Sequence, residues 1–269
     1  MNAQHAAFVG SIPENYDLYL GPCLFEPFAT NLVRRVRVPD GGAVLETACG
    51  TGLVTRHLRD SLQTDVRLVA TDLNEAMLAY AATKFGPEDG VELRQADATE
   101  LPFTDGSFDA VVCQFGLMFF PDKPRAVSEA NRVLKPGGAY VLNVWDAIEN
   151  NDLANAANDT MLSFFETDPP TFYQVPFSLH DQTKVKALLE DARFKDIEMS
   201  VVAEIGISNS AADAAKGLIE GNPVIAEINQ RSPSSVQSIE EALSTRIAAR
   251  CGDNPVRAKL QAIVCVARR

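Results

Sequence analysis

Between residues 43 and 146, short apolar, β-branched runs alternate with stretches whose apolar positions recur at helical spacing. Residues 43–48 read as a first strand. A helix is expected over 53–62, with Leu53, Val54, Leu58 and Leu62 along one side. Residues 67–72 form a second strand. Asn74 is placed to cap the next helix, because its side-chain oxygen can accept an otherwise unpaired first-turn N–H. Residues 91–97 alternate as a third strand, and 108–115 are almost continuously apolar, as in a strand covered on both faces. Asp122 opens a helix carrying Ala126, Val127, Ala130, Val133 and Leu134. Lys135-Pro136-Gly137-Gly138 then stops it ahead of a fifth strand over 139–145.

Strands alternating with helices of this length imply a parallel sheet with right-handed crossovers. Further along, the pattern predicts a helix over 181–192, a strand over 197–204 and a terminal strand in LQAIVCVARR (260–269). Residues 147–178 and 208–256 interrupt this scheme. Both lean helical, with Pro169, Pro170, Pro223 and Pro233 as breakers. Together with the first 40 residues, where helix signals follow Pro22, they are expected to serve as lids or substrate walls.

Composition narrows the field. The 269 residues are 46% hydrophobic, and no run approaches the ~18–20 apolar residues that span a bilayer. The first residues lack the basic start and apolar core of a secretion signal, so a cytoplasmic protein is expected. A formal net charge of −12 argues against nucleic acid as a partner, since phosphates demand clustered Lys and Arg. The one basic cluster, Arg34, Arg35 and Arg37, reads as the solvated face of a helix end. Cys23, Cys49, Cys113, Cys251 and Cys265 are scattered without a CxxC and are expected to be reduced core thiols. His5, His57 and His180 are too dispersed for a local metal motif, and no metal is expected.

The candidate chemistry gathers at strand ends. In an open parallel sheet, ligands bind outside the carboxyl ends of the strands. Glu46, Asp72, Asp97, Gln114 and Asp146 all fall there. Asp72 follows Gly52 by 20 residues, the separation at which an acidic side chain meets ribose hydroxyls. Gly50 and Gly52 allow close backbone approach to a ligand. A dinucleotide fingerprint would need glycine at Thr55, and no G-x-x-x-x-G-K-[ST] loop occurs. Glu46 would repel a pyrophosphate but suit a cationic amino group.

E-T-A-C-G-T-G (46–52) resembles motif I of the class I S-adenosylmethionine-dependent methyltransferases, an acidic residue followed by G-x-G-x-G, with Ala48 replacing the first glycine. ATDLNEAML (70–78), RQADATELPF (94–103), FDAVVCQFGLMFFPD (108–122) and EANRVLKPGGAYVLNVWD (129–146) agree in order. The chain is most similar to the broad "type 11" small-molecule group, which includes ubiquinone/menaquinone-biosynthesis methyltransferases. The motifs cover about 44–146, and HDQTKVKALLEDARF (180–194) extends the match more weakly. Ala48 is tolerable if its backbone stays in the β region.

The resemblance implies an α/β Rossmann-like methyltransferase fold: a seven-stranded, mostly parallel sheet with helices on both faces and helical caps. It divides the chain into an N-terminal lid (1–40), a donor-binding core (41–146), a cap (147–178), a core continuation (179–207), a second cap (208–256) and a final strand (257–269). It further implies that Glu46 holds the methionine ammonium, with Thr47, Ala48, Gly50 and Gly52 passing beside the amino-acid portion. Asp72 would bind the ribose hydroxyls, Leu73 and Met77 would pack near adenine and ribose, and Asp97 and Ala98 would contact the adenine. Gln114 and Phe115 would lie near the methyl donor.

Tyr16, Tyr19, Phe25, Met118, Phe119 and Trp145 are expected around the acceptor, with Phe28, Phe164, Phe165, Phe172 and Tyr173 as further aromatics of the caps. An aromatic lining favours an apolar or planar acceptor. His180, Asp146, Tyr16 and Tyr19 are candidate bases, none of them singled out. His57 reads as a packing or surface residue. The expected partner is a small molecule, with a homodimer left open. Two other functions remain at this point: a non-catalytic sensor of S-adenosylmethionine or its demethylated product, and a nicotinamide-dependent oxidoreductase.

Overall fold

A computed structural model describes residues 7–269; His5 lies outside the described residues. Seven strands form one sheet in the order β3-β2-β1-β4-β5-β7-β6. They are β1 (Ala43–Thr47), β2 (Arg67–Asp72), β3 (Val91–Gln95), β4 (Phe108–Gln114), β5 (Leu134–Trp145), β6 (Lys195–Ser208) and β7 (Val256–Arg268). The first five run parallel; β7 is antiparallel to both β5 and β6. The strand order reverses between β1 and β4, where Val44 pairs with Leu68 on one side and Ala110 on the other. That switch point leaves a crevice at the strands' carboxyl ends.

The crossover helices are α3 (Leu53–Ser61), α4 (Glu75–Ala82), α5 (Lys123–Val133) and α7 (Gln182–Asp191). Alternation along the strands sorts the core into two faces. Val44, Leu68, Ala110, Val112 and Val141 pack with Val54 and Leu58 of α3 and with Ala29 and Leu32 of α2 (Glu26–Val33). On the opposite face, Leu45, Val69, Val111 and Leu142 pack with Val127 and Ala130 of α5 and Val185 and Leu189 of α7. Both faces are therefore dry, which explains why β4 reads as a nearly unbroken apolar run.

Over the crevice lie α1 (Ile12–Asn15), a π-helical stretch (Tyr16–Phe25) and the helices α6 (Asp152–Phe164) and α8 (Ala211–Glu220), backed by α9 (Val224–Arg231) and α10 (Val236–Cys251). Helical structure thus begins before Pro22, not after it. The wider π turn takes Pro22 into its interior, where an ordinary α-helix would lose a hydrogen bond and clash.

Three local expectations need correction. Asn74 makes no side-chain cap bond on α4; its N–H and amide instead donate to Asp72 Oδ1, at 2.8 and 3.4 Å. Ala48 has φ +53°, in the left-handed region and not the β region. The third strand ends at Gln95, so Asp97 sits in the following turn, where its Oδ1 accepts from the Thr99 N–H and hydroxyl, both at 2.7 Å. Other features match the pattern. Asp122 Oδ1 accepts from Arg125 N–H at the start of α5, and the five cysteines are free, four of them buried.

Candidate functional site

The turn from β1 into α3 is unusual backbone. Ala48, Gly50 and Gly52 all have positive φ, at 53°, 55° and 80°. Gly50 and Gly52 accept this freely, whereas Ala48 bears the strain of a left-handed residue with a Cβ. Asp72 ties the turn to the end of β2: its Oδ2 accepts from Gly50 N–H at 2.8 Å while Oδ1 accepts from Asn74 N–H. Burial pushes the Asp72 carboxyl above its usual range, and the backbone N–H groups pull against that shift.

Around this tie opens a cleft of about 420 Å³. Ala48, Gly50, Asp72, Leu73, Met77, Asp97, Ala98, Gln114 and Phe115 all line it, joined by Phe8, Val9 and Asn74, which the motif reading did not single out. Three expected residues do not reach its surface. Thr47 is buried, with its hydroxyl toward the Val112 carbonyl at 3.4 Å. Gly52 sits where an added Cβ would lie 2.9 Å from the Phe85 ring. Glu46 is only 1% exposed, and its Oε2 accepts from Thr55 Oγ1 at 2.6 Å. Thr55 therefore occupies the third-glycine position of a dinucleotide fingerprint for a local reason: its hydroxyl serves the buried carboxyl. Desolvation pushes Glu46 up to about 8, opposed by the Thr55 bond and helped by the charge of Asp72.

A second, apolar chamber of about 60 Å³ adjoins the cleft. Phe25, Trp145, Phe172, Tyr173 and Phe177 line it, and among the described residues no carboxylate, lysine or arginine does. Phe8, Tyr16, Phe115 and Phe119 belong to both spaces. Phe115 ends β4 with φ +49°. Asn143, fully buried, holds that strained turn by accepting its N–H through both the backbone carbonyl and Oδ1, at 3.2 and 3.0 Å. The Phe115 ring lies flat on Trp145, with centroids 3.8 Å apart and planes 6° apart. Tyr16 stacks on Phe25 at 4.7 Å. The wall is a set of interlocked rings drawn from four distant segments.

Two expected acceptor residues are excluded from both spaces. Met118 is fully buried core, because the short 3₁₀ turn Leu117–Phe119 points it inward. Tyr19 lies against Gly217 and under the Lys216 ammonium. Phe28 is also core, Phe165 is half-buried and Phe164 is exposed.

Among the candidate bases, His180 is exposed with Nδ1 at 2.8 Å from the Phe177 carbonyl. Asp146 is bound by Ala147 N–H, Asn150 and Gln261. Only Tyr16 touches both spaces, and burial, with Asp72 and Asp17 nearby, raises its phenol far above the ordinary value. Tyr16 is thereby kept as a hydroxyl, suited to donating a hydrogen bond and not to removing a proton. His57 bonds Glu26 at 2.6 Å on the surface.

Asp17 is a site-shaping residue that the pattern did not reveal. It accepts from Thr51 Oγ1 at 2.6 Å and pairs with Lys84. The N-terminal segment is thereby fastened to the glycine turn and to the residues after α4.

The family model described as "Methyltransferase domain" matches residues 45–142. The chain is 28% identical over 229 residues to the demethylmenaquinone methyltransferase of Staphylococcus carnosus, covering 77% of this chain and 93% of that one. It is 40% identical over 109 residues to the enzyme of that name from Clavibacter sepedonicus, covering 40% and 43%. Among solved structures, a putative methyltransferase from Bacillus halodurans superposes with a TM-score of 0.58 at 24% identity, covering 89% of this chain and 97% of that one. A phosphoethanolamine N-methyltransferase from Haemonchus contortus, solved with phosphomonomethylethanolamine and S-adenosylhomocysteine, gives 0.61 at 17% identity, covering 96% and 56%. Residues 45–142 match the methyltransferase domain, and its motifs lie at the strand ends of this seven-stranded sheet, in keeping with the class I S-adenosylmethionine-dependent methyltransferases that the chain resembles.

Proposed function

We propose that the cleft takes S-adenosylmethionine and the apolar chamber takes a small, uncharged, apolar or aromatic acceptor. The observation that carries this reading is that Phe8, Tyr16, Phe115 and Phe119 line both spaces, so the chamber directly adjoins the cleft. The cleft fits the donor. An added Cβ at Gly50 would meet nothing within 4 Å, which leaves room for a ligand beside the backbone. Asp72, buried but lining the cleft, and the exposed Asp97 carry carboxylate acceptors that suit a diol and an exocyclic amine.

In this reading Asp72 holds the ribose hydroxyls, Leu73 and Met77 flank the adenosine, and Asp97 with the Ala98 N–H meets the adenine. Glu46 acts on the ammonium from beneath the turn, through water or after a small opening. Gln114 and Phe115 border the reacting carbon. The bound sulfonium supplies an activated methyl group. The chain supplies alignment and a dry path, both of which favour in-line displacement.

The relatives' name points to a demethylmenaquinone acceptor, and an aromatic lining without lysine or arginine suits a ring of that kind better than a phosphorylated amine. The acidic surface supports a reading without nucleic acid as partner. No helix among the described residues is long and apolar enough to cross a membrane, and we place the enzyme in the cytoplasm, with a homodimer as its assembly.

Calorimetric titration with S-adenosylmethionine, S-adenosylhomocysteine and NADH tests the donor; binding of the first two and not the third is expected. An acceptor screen then compares quinol-type aromatics with phosphorylated amines. Turnover confined to the amines would overturn the chamber assignment, and donor binding without turnover of any acceptor would favour a sensor.

A further inference from the structure

The 14-residue strand β6 closes one edge of the sheet, hydrogen-bonded to β7 on one side and, among the described residues, with no strand on the other. Edge strands are usually short, charged or covered, because their free N–H and C=O groups invite pairing. β6 is long and bare. Val201, Ile205 and Ile207 are 47%, 43% and 46% exposed, and the intervening Ala203 is exposed as well. The other face is occupied: Gly206 lies against the Cys23 carbonyl, and Arg35 reaches Ser200. On the β7 side, Ile205 and Ile207 neighbour the exposed Lys259 and Arg257. The apolar stripe can therefore continue only outward, across the open edge.

We propose that β6 pairs antiparallel with β6 of a second copy about a twofold axis at Val202. In that register Met199 faces Ile205 and Val201 faces Ala203, with Ile207 beside the irregular stretch that precedes Glu198. Glu198 falls opposite Gly206, and Ser200 opposite Glu204. No carboxylates oppose each other. Moving the axis to Val201 sets Glu198 against Glu204, and moving it to Ser200 shortens the regular ladder, which is broken between Lys195 and Glu198. An axis at Glu204 opposes that residue to its own copy. An axis at Ala203 shortens the ladder and puts Glu204 against Val202. Like charges directly opposite destabilise a pair, whereas apolar pairs stabilise it. The strand is thus self-complementary in one register, as a twofold, isologous interface requires. This inference gives the assembly proposed above its surface and does not depend on methyl transfer.

Sedimentation velocity on the full chain tests it. The wild type is expected at twice the chain mass, more completely at higher salt, because each copy carries −12 and screening weakens their repulsion. The double substitution Ile205→Glu/Ile207→Glu is expected to halve the mass while keeping the circular dichroism and donor binding. Within one chain each new carboxylate faces Lys259 or Arg257, so the fold is not penalised. Val201→Cys/Ala203→Cys is expected to give a disulfide-linked dimer, since those positions face each other across the interface at about 5 Å. A wild type that stays a monomer at every concentration and salt overturns the proposal. So does a dimer that survives the Glu substitutions, or a cysteine pair that cross-links no more than Ala203→Cys alone.

Discussion

The cleft proposed for the donor and the apolar chamber share four residues, yet they are built in opposite ways. The cleft is made of backbone: a turn with three positive-φ residues, held by N–H groups on one buried carboxylate. Its parts come from the ends of consecutive parallel strands. The chamber is made of side chains, drawn from the N-terminal segment, the ends of β4 and β5, and four later stretches. Its walls are also the main hydrophobic core, which contains Phe25, Trp145, Phe172 and Leu218. Damage to the cleft should therefore cost binding, and damage to the chamber should cost stability.

The largest expected effect breaks the chamber. Phe172→Ala empties a 2%-exposed position and should lower unfolding free energy by roughly 3–5 kcal/mol, with donor affinity nearly unchanged. Denaturant melts paired with calorimetry check this, and equal damage to both quantities would erase the distinction. Asp72→Ala is the reverse case. It removes a charged acceptor of two backbone N–H groups and of the proposed ribose contacts, and should weaken donor binding about 100-fold, or about 2.7 kcal/mol.

A third effect, smaller for each unit of pH, follows from Glu46. Its folded-state value of about 8 lies above the ordinary 4.5. Between those values the folded chain holds a proton that the unfolded chain has lost. Stability of the donor-free protein should fall as pH rises through that window, by up to about 1.4 kcal/mol per unit, and level off above it. Glu46→Gln should reduce the slope. The cationic donor favours the ionised carboxylate, so its affinity should rise with pH over the same range. A flat profile for the wild type would show that Glu46 is already ionised beneath the turn.

The smallest effect probes the turn itself. Ala48→Gly should stabilise the protein by about 1 kcal/mol by removing a Cβ from a left-handed residue. Gly116→Ala should destabilise it, because the new Cβ would lie 2.6 Å from that of Ala48. Combining the two should restore much of the loss. Additive melting temperatures would show that the two turns do not meet.

Local chemistry determined much of this protein before any tertiary contact. Short apolar runs bounded by turn residues mark the strands, because dry parallel strands need continuous apolar sequence. Acidic and amide residues at or just beyond strand ends mark the cleft, because strand ends converge on one edge of a parallel sheet. Asp72, Asp97 and Gln114 could be read this way. Tertiary structure decided the rest. Periodicity does not show that Met118 turns inward while Phe119 lines both spaces, since the two share a single short turn. Tyr19 and Tyr16 look alike in sequence, but the π-helical stretch sends one toward Lys216 and the other to the junction of the two spaces. Glu46 belongs to the family's motif, but only the fold shows it sealed under the turn with Thr55. Asn143 and Asp17 carry no sequence signal, because each acts on partners far along the chain. The motif specifies a short stretch of backbone, whereas the chamber exists only once distant segments pack.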